Sequence, residues 1–113
     1  VLWQATEIGI NAAIPGATTF DVFNAMNKVI SEVSVAGNNV GRLGHGLGLQ
    51  LTEPPSHRDE DKTVIKENMV LTIEPGLEYA PGKMIVHEEN IIINKDGAEL
   101  ITKRAPKEIP IIK

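Results

Sequence analysis

A glycine-rich segment at residues 40–51 constrains the fold more than any other part of the chain. It has the sequence VGRLGHGLGLQL, in which glycine or polar residues alternate with leucine. A period of two predicts a strand, and glycine inside a strand marks a place where another group approaches the backbone closely. We therefore expect residues 40–51 to form a strand with a close neighbour.

The first pattern upstream of this segment is helical. Apolar residues recur at helical spacing between Leu2 and Ile14, yet no Ser, Thr, Asp or Asn precedes them as a cap. We expect a helix at residues 2–14. Because it lacks a starting signal, we also expect the chain to be a piece of a longer domain.

A second helix has clearer boundaries. Thr18 precedes Asp21 at the spacing of a capping box. One apolar stripe then follows at Val22, Met26, Val29 and Val33. We expect a helix over residues 19–35, ended by Gly37, Asn38 and Asn39.

Strand-like runs follow the glycine-rich segment. They lie at residues 69–73, 84–93 and 98–102. Asp96-Gly97 between the last two predicts a hairpin turn, and the charged residues 56–62 predict a surface loop. The tail, residues 105–113, is expected to be an edge strand or coil. Two helices before an antiparallel sheet are typical of the α+β class.

Composition limits the possible functions of the chain. It has 113 residues with a net charge of −4, scattered Lys and Arg residues and no cysteine, so one domain is expected and neither nucleic acid nor an anionic membrane is an expected partner. No segment approaches the roughly 18 apolar residues of a membrane span, and no signal peptide is visible. We expect a cytoplasmic protein in which any metal is held by His and carboxylates.

The glycines do not form a phosphate-binding motif. The third glycine of G-x-G-x-x-G is replaced by Leu49, or by Leu51 in the other register, and no G-K-S/T follows. Gly44 and Gly46 flank His45, which favours an imidazole that a ligand or ion approaches. Taken alone, His45 is more simply a histidine bound to a backbone carbonyl.

Two carboxylates strengthen the metal interpretation. Glu74 closes an apolar run before Pro75-Gly76, and an adjacent pair, Glu88 and Glu89, lies inside another run. A carboxylate among buried apolar residues needs a cation or a donor. Neighbouring residues of a strand point to opposite faces, and periodicity alone does not decide which of the pair joins His45.

These motifs together resemble the pita-bread metallopeptidases, a family that includes Xaa-Pro dipeptidase, aminopeptidase P, methionine aminopeptidase and creatinase. The resemblance rests on Gly44 to Leu49 with Glu53-Pro54-Pro55, on Thr72 to Gly76, and on Glu88-Glu89-Asn90 followed by Asp96-Gly97. It covers nearly the whole chain, and the short stretch between Glu74 and Glu88 resembles the dipeptidase branch more than methionine aminopeptidase.

The resemblance implies a fold, a metal centre and a reaction. Residues 1–113 would be the carboxy-terminal part of one catalytic domain of the pita-bread fold. Family members bind two divalent metals through two Asp, one His and two Glu, and a hydroxide between the metals attacks an amide. His45 would be a ligand, Glu74 a ligand and proton shuttle, and Glu88 a bridging ligand. Such ligands suit Mn, Co, Fe or Zn. Family members are often dimers, so a homodimer is expected.

The chain departs from the family pattern at two places. The Asp pair lies upstream of the helices in the family and has no counterpart here, so this chain alone would hold at most one metal weakly and would be inactive. The His that usually precedes the Glu-Pro motif is replaced by Thr52. His57 and His87 are candidate substrate contacts together with Thr52, although His57 is more simply an exposed loop residue and His87 a strand-surface residue.

Three functions therefore remain open. The first is an Xaa-Pro dipeptidase-like peptidase acting on a peptide or small amide. The second is a hydrolase of other C–N bonds, of the ectoine or creatine type, which Thr52 and the absence of an Arg before Glu88 favour. The third is a binding module that has lost its metals.

Overall fold

The computed structural model describes residues 1–35 and 41–113, which form two helices and seven strands. The helices are α1 (Leu2–Ala12) and α2 (Thr19–Ser31). The strands are β1 (His45–Gly46), β2 (Glu53–Ser56), β3 (Val70–Ile73), β4 (Gly76–Ala80), β5 (Lys83–Val86), β6 (Glu89–Asn94) and β7 (Gly97–Leu100). No helix in the described ranges is long and apolar enough to cross a bilayer.

The strands form two antiparallel sheets. The larger sheet has the order β2-β1-β3-β6-β7, and β4 with β5 forms a separate two-stranded sheet. Helix α1 contacts α2 on one side and strands β3 and β7 on the other. The hydrophobic core lies between the helices and the larger sheet and consists mainly of Val22, Met26, Ile30, Leu71, Ile73, Ile91 and Ile93.

Both expected helices are present, and the second begins as its sequence predicts. The Thr18 hydroxyl accepts from the Asp21 N–H at 3.1 Å, and the Asp21 carboxylate accepts from the Thr18 N–H at 2.8 Å. The expected end at residue 35 is wrong, because α2 stops at Ser31. The Val35 N–H donates to the Glu78 carbonyl in β4. The chain after α2 therefore contacts the two-stranded sheet instead of continuing the helix. The expected stop residues 37–39 lie outside the described residues.

The expected strand at residues 40–51 is mostly wrong. Within the described residues only His45 and Gly46 are extended in the sheet, and Leu49 and Leu51 are exposed. The chain turns after Gly46, where the Gly48 N–H donates to the Gln50 carbonyl and the Gln50 N–H to the Glu53 carboxylate. Alternating leucines form a strand only where a core covers one face, and these two side chains face solvent.

Two further boundaries differ from expectation. Glu53-Pro54-Pro55 does not merely end a strand but belongs to β2, which pairs with β1. The run 84–93 divides into β5 and β6, because β5 pairs with β4 while β6 pairs with β3 and β7. The hairpin at Asp96-Gly97 is confirmed by the pairing of Asn94 with Gly97. The tail is coil.

Candidate metal centre

The sheet brings together His45, Glu74 and Glu88, three residues that are far apart in sequence. Each offers one ligand atom, and these atoms all lie within 4.8 Å of one another. His45 belongs to β1, Glu74 directly follows β3, and Glu88 lies directly before β6. Since β3 lies between β1 and β6, the order of the strands places the three side chains together.

The His45 ring is fixed by its backbone surroundings. Its Nδ1 lies 2.8 Å from the Gly46 carbonyl oxygen, and its Nε2 lies 3.4 Å from a Glu74 oxygen. Because a carbonyl only accepts hydrogen bonds, this contact suits a hydrogen on Nδ1, and Nε2 is the ring atom that faces Glu74. The His45 N–H also donates to the Thr72 hydroxyl at 3.0 Å, so ring and backbone are both held.

The two carboxylates lie at matching ends of paired strands. Ile73 and Glu89 are register partners at the end of the β3–β6 ladder, and Glu74 and Glu88 lie one residue beyond it. The Glu74 N–H donates to the Leu43 carbonyl at 2.9 Å, which holds its backbone beside the β1 end. Glu74 keeps 30% of its side chain exposed, and Glu88 is exposed, so both carboxylates are reachable from solvent.

The glycines beside His45 lie against other parts of the protein, whereas the sequence suggested that a ligand or ion approaches there. At Gly44, whose φ is +136°, a Cβ would collide with the Thr72 carbonyl oxygen and lie 2.6 Å from His57 Cδ2. At Gly46 it would meet the backbone carbonyl oxygens of Pro54 and Glu53. These glycines admit neighbouring protein groups rather than an approaching ligand. They allow β2 and β3 to pack closely around His45.

A cleft of about 230 Å³ surrounds the three residues. Its walls consist of Arg42, His45, Leu47, Leu51, Thr52, Thr72, Glu74, Glu88 and Asn90. The structure therefore places Thr52 with the candidate ligands, as the sequence suggested. Arg42 and Asn90 were not expected. A period-two signal points to Asn90, because it lies two residues after Glu88 and shares its face of the extended chain.

His57 lies elsewhere, and its expected exposure in a surface loop is wrong. It is fully buried and does not line the cleft. Neither ring nitrogen has a hydrogen-bond partner among the described residues. Burial lowers the pKa of His57 to about 4, and the nearby backbone of Thr19 and Thr72 offsets this only in part.

His87 also lies outside the cleft. Its Nδ1 is 2.5 Å from the Thr6 hydroxyl in α1, and its ring lines an apolar groove with Trp3 and Leu77. It is half-buried between β5 and β6. Burial and the charge of Arg104 lower the pKa of His87, and the charge of Glu89 opposes them. The expectation of a surface histidine is wrong because α1 covers it.

The burial pattern separates the adjacent glutamates. Glu89, Ile91 and Ile93 are buried on the core side of β6, whereas Glu88 is exposed to the cleft. Periodicity left this choice open because β5 and β6 look like one strand in the sequence. The register of β6 against β3 decides it.

The donor set suits a divalent cation. An imidazole nitrogen and two carboxylate oxygens are ligands that Mn, Co, Fe and Zn accept. Metal–ligand distances near 2.1 Å hold the ligands of one ion within about 4 Å of each other, and the 4.8 Å spread of these three atoms is only slightly wider. His45 Nε2 faces the Glu74 carboxylate at 3.4 Å, so the residues fit a metal.

Comparison with known proteins gives consistent matches over this chain. The family model of metallopeptidase family M24 matches residues 1–95. The Xaa-Pro dipeptidase of Pyrococcus furiosus is 36% identical over 104 residues, which are 91% of this chain and 30% of that protein. The Xaa-Pro dipeptidase of Lactobacillus delbrueckii is 33% identical over 109 residues, which are 96% of this chain and 29% of that protein.

The solved structures agree with these sequence matches. The prolidase from Pyrococcus furiosus superposes with a TM-score of 0.84 and 32% identity, covering 93% of this chain and 31% of that one. The chain thus spans about 30% of the length of the curated relatives it matches. The α+β class and the pita-bread fold expected from the sequence are confirmed by this likeness.

Proposed function

This chain belongs to metallopeptidase family M24, and from that membership we propose that it is the carboxy-terminal part of the catalytic domain of an Xaa-Pro dipeptidase-like hydrolase. The reaction is the hydrolysis of an amide bond at a centre of two divalent metals. Three of the five ligands expected for such a centre, His45, Glu74 and Glu88, come from this chain. The upstream Asp pair would come from the rest of the protein.

One observation carries the proposal: the grouping of His45, Glu74 and Glu88 within 4.8 Å at the wall of a cleft. The His45 imidazole is buried and its Nε2 lies 3.4 Å from a Glu74 oxygen, an arrangement that a cation or a proton between them would stabilise. The chain contains no cysteine, so it supplies neither a thiolate nucleophile nor a thiolate metal ligand. Hydrolysis assisted by a metal is the chemistry that these side chains serve.

Each residue has a distinct task in this mechanism. A bound divalent cation supplies a Lewis acid that polarises the scissile carbonyl and lowers the pKa of water. His45 would offer Nε2 to the metal, because the Nδ1 side of its ring lies against the Gly46 carbonyl. Glu74 would take up a proton from the attacking water at a carboxylate oxygen and deliver it to the leaving nitrogen. Glu88 would contribute a carboxylate to both metals.

The cleft also limits the substrate. Arg42 is the one Lys or Arg side chain among the described residues that line it, and it would attract the carboxylate end of a dipeptide. Thr52 occupies the position where family peptidases usually carry His. Because a hydroxyl is a weaker proton donor than an imidazolium, this residue favours the second candidate function, hydrolysis of a small ectoine- or creatine-type C–N bond. We also propose that the whole protein is a homodimer and lies in the cytoplasm.

The test compares two neutral substitutions in the natural protein supplied with Mn²⁺ or Co²⁺. Glu74→Gln removes the proposed proton shuttle, and turnover of an Xaa-Pro dipeptide is expected to fall at least about 100-fold. Glu67→Gln is the matched control, because Glu67 is exposed and does not line the cleft. Its turnover should stay unchanged.

Three results would contradict parts of the proposal. Full activity in Glu74→Gln would remove Glu74 from the mechanism. Hydrolysis of ectoine-type substrates with no activity on a panel of dipeptides would favour the second candidate. A natural protein without the upstream Asp pair would favour the binding module.

A further inference from the structure

A second carboxylate lies directly behind the candidate metal centre. Glu89 is 2% exposed, and both of its oxygens accept hydrogen bonds. Oε2 accepts from the Thr102 hydroxyl at 2.5 Å, whereas Oε1 accepts from the Ala105 N–H at 2.8 Å and from Arg104 Nη1 at 3.3 Å. We call these four residues, Glu89, Thr102, Arg104 and Ala105, the Glu89 anchor.

The carboxylate is ionised in this setting. Burial by itself would raise the pKa of Glu89, but the hydrogen bonds from Thr102, Ala105 and Arg104, together with the charge of Arg104, outweigh it and hold the pKa below its ordinary value. A buried carboxylate that accepts hydrogen bonds at both oxygens is held in place, because displacing it would break those bonds.

Arg104 extends the anchor to the first helix. Its Nη2 donates to the Trp3 carbonyl at 2.9 Å and lies 3.3 Å from a Glu7 oxygen. Its guanidinium also stacks over the Trp3 ring at 4.4 Å from the centroid. The anchor therefore joins β6, the segment after β7 and α1 at one point.

That point is next to both candidate carboxylate ligands. Glu89 pairs with Ile73 at the end of the β3–β6 ladder, and Glu74 and Glu88 are the next residues beyond this pair. Glu88 itself lies outside the ladder. The Thr102 hydroxyl also accepts from the Asn90 N–H at 3.2 Å, so Thr102 binds both residues that follow Glu88.

We infer that the Glu89 anchor positions Glu88 for metal binding by fixing the backbone from which the Glu88 side chain extends to the opposite face. This inference rests on the proposed metal site. Thr102, Arg104 and Ala105 do not line the cleft, so the anchor acts through Glu88 and none of its members is a catalytic residue. Groups that orient metal ligands in this way typically change metal affinity when they are removed.

The experiment uses Thr102→Val, Thr102→Ser and Thr63→Val in the natural protein, with Mn²⁺ affinity measured by titration calorimetry. Thr102 is exposed, and valine keeps the shape of its side chain while removing the hydroxyl that donates to Glu89. Thr63→Val is the matched control, since the Thr63 hydroxyl makes the same kind of bond, to Asp61 at 2.6 Å, outside the cleft.

The variants are expected to differ in their affinity for Mn²⁺. Thr102→Val should weaken Mn²⁺ binding about 10-fold, while Thr102→Ser and Thr63→Val should change it by less than about twofold. Hydrogen exchange in the metal-free protein should quicken at the start of β6 only in Thr102→Val, because the Asn90 N–H loses its acceptor.

Each other outcome identifies what has failed. Unchanged Mn²⁺ affinity in Thr102→Val, equal losses in Thr63→Val, or an equal loss in Thr102→Ser would overturn the positioning role. An unsubstituted protein that binds no Mn²⁺ would overturn the proposed function, and the inference with it.

Discussion

His57 should make the protein less stable as the pH falls through the range in which histidine normally takes up a proton. The folded protein holds His57 neutral, because burial lowers its pKa to about 4. In the unfolded chain the same ring titrates near the ordinary histidine pKa of 6.5. Protons therefore bind the unfolded state preferentially between these two values. The stability is complete above the upper value and declines toward the lower one.

The size of the effect follows from the two pKa values. The folded and unfolded values of about 4 and 6.5 give a loss of about 2 kcal/mol in the free energy of unfolding between about pH 7.5 and about pH 5. By pH 4 the loss reaches about 3 kcal/mol. Against a typical total stability of about 5–15 kcal/mol this is a large fraction.

Urea unfolding followed by circular dichroism at the two pH values measures this loss, and His57→Gln isolates it. Glutamine does not titrate, so the pH dependence of the variant should be smaller by about 2 kcal/mol whatever its baseline stability. The NMR signal of the His57 ring proton should also titrate near pH 4 in the folded protein. Equal pH dependence in both proteins, or a ring that titrates like that of a solvent-exposed histidine, would refute the reasoning.

Two further predictions concern the backbone. Gly44→Ala should lower the free energy of unfolding by about 2–4 kcal/mol, since its Cβ meets the Thr72 carbonyl. Gly82→Ala, which has a positive φ and open space at the Cβ position, should cost only about 1 kcal/mol, and equal losses in urea unfolding would exclude the collision as the cause. Thr18→Ala should cost about 1 kcal/mol by removing the capping box with Asp21, and an unchanged unfolding midpoint would contradict this.

The most accurate sequence predictions rest on local interactions. The capping box at Thr18 and Asp21 and the hairpin turn at Asp96-Gly97 both involve residues a few positions apart, so their geometry depends little on the rest of the fold. The motifs that contain His45, Glu74 and Glu88 carried the resemblance to the family. The structure brings these three residues together, and their role as ligands stays a prediction.

The errors in the sequence analysis concern contacts between distant segments. The leucines at 49 and 51 alternate like those of a strand, but both side chains are exposed. Residues 84–93 look continuous, yet β5 and β6 pair with different partners. A strand needs a neighbouring strand that pairs with its backbone, and that partner cannot be read from the segment itself.

The sequence by itself determined the helices, the turn at Asp96-Gly97 and the identity of the candidate ligands. Tertiary structure alone decided that His57 is buried, that Glu88 faces the cleft and that Glu89 lies against Thr102 and Arg104. The physical reason is the distance along the chain between the residues that interact. Helix caps and tight turns are stabilised by residues within a few positions, whereas burial and strand register depend on groups far away in the chain. The candidate metal centre depends on both kinds of interaction. Local motifs identify its three residues, and the order of the strands brings them together.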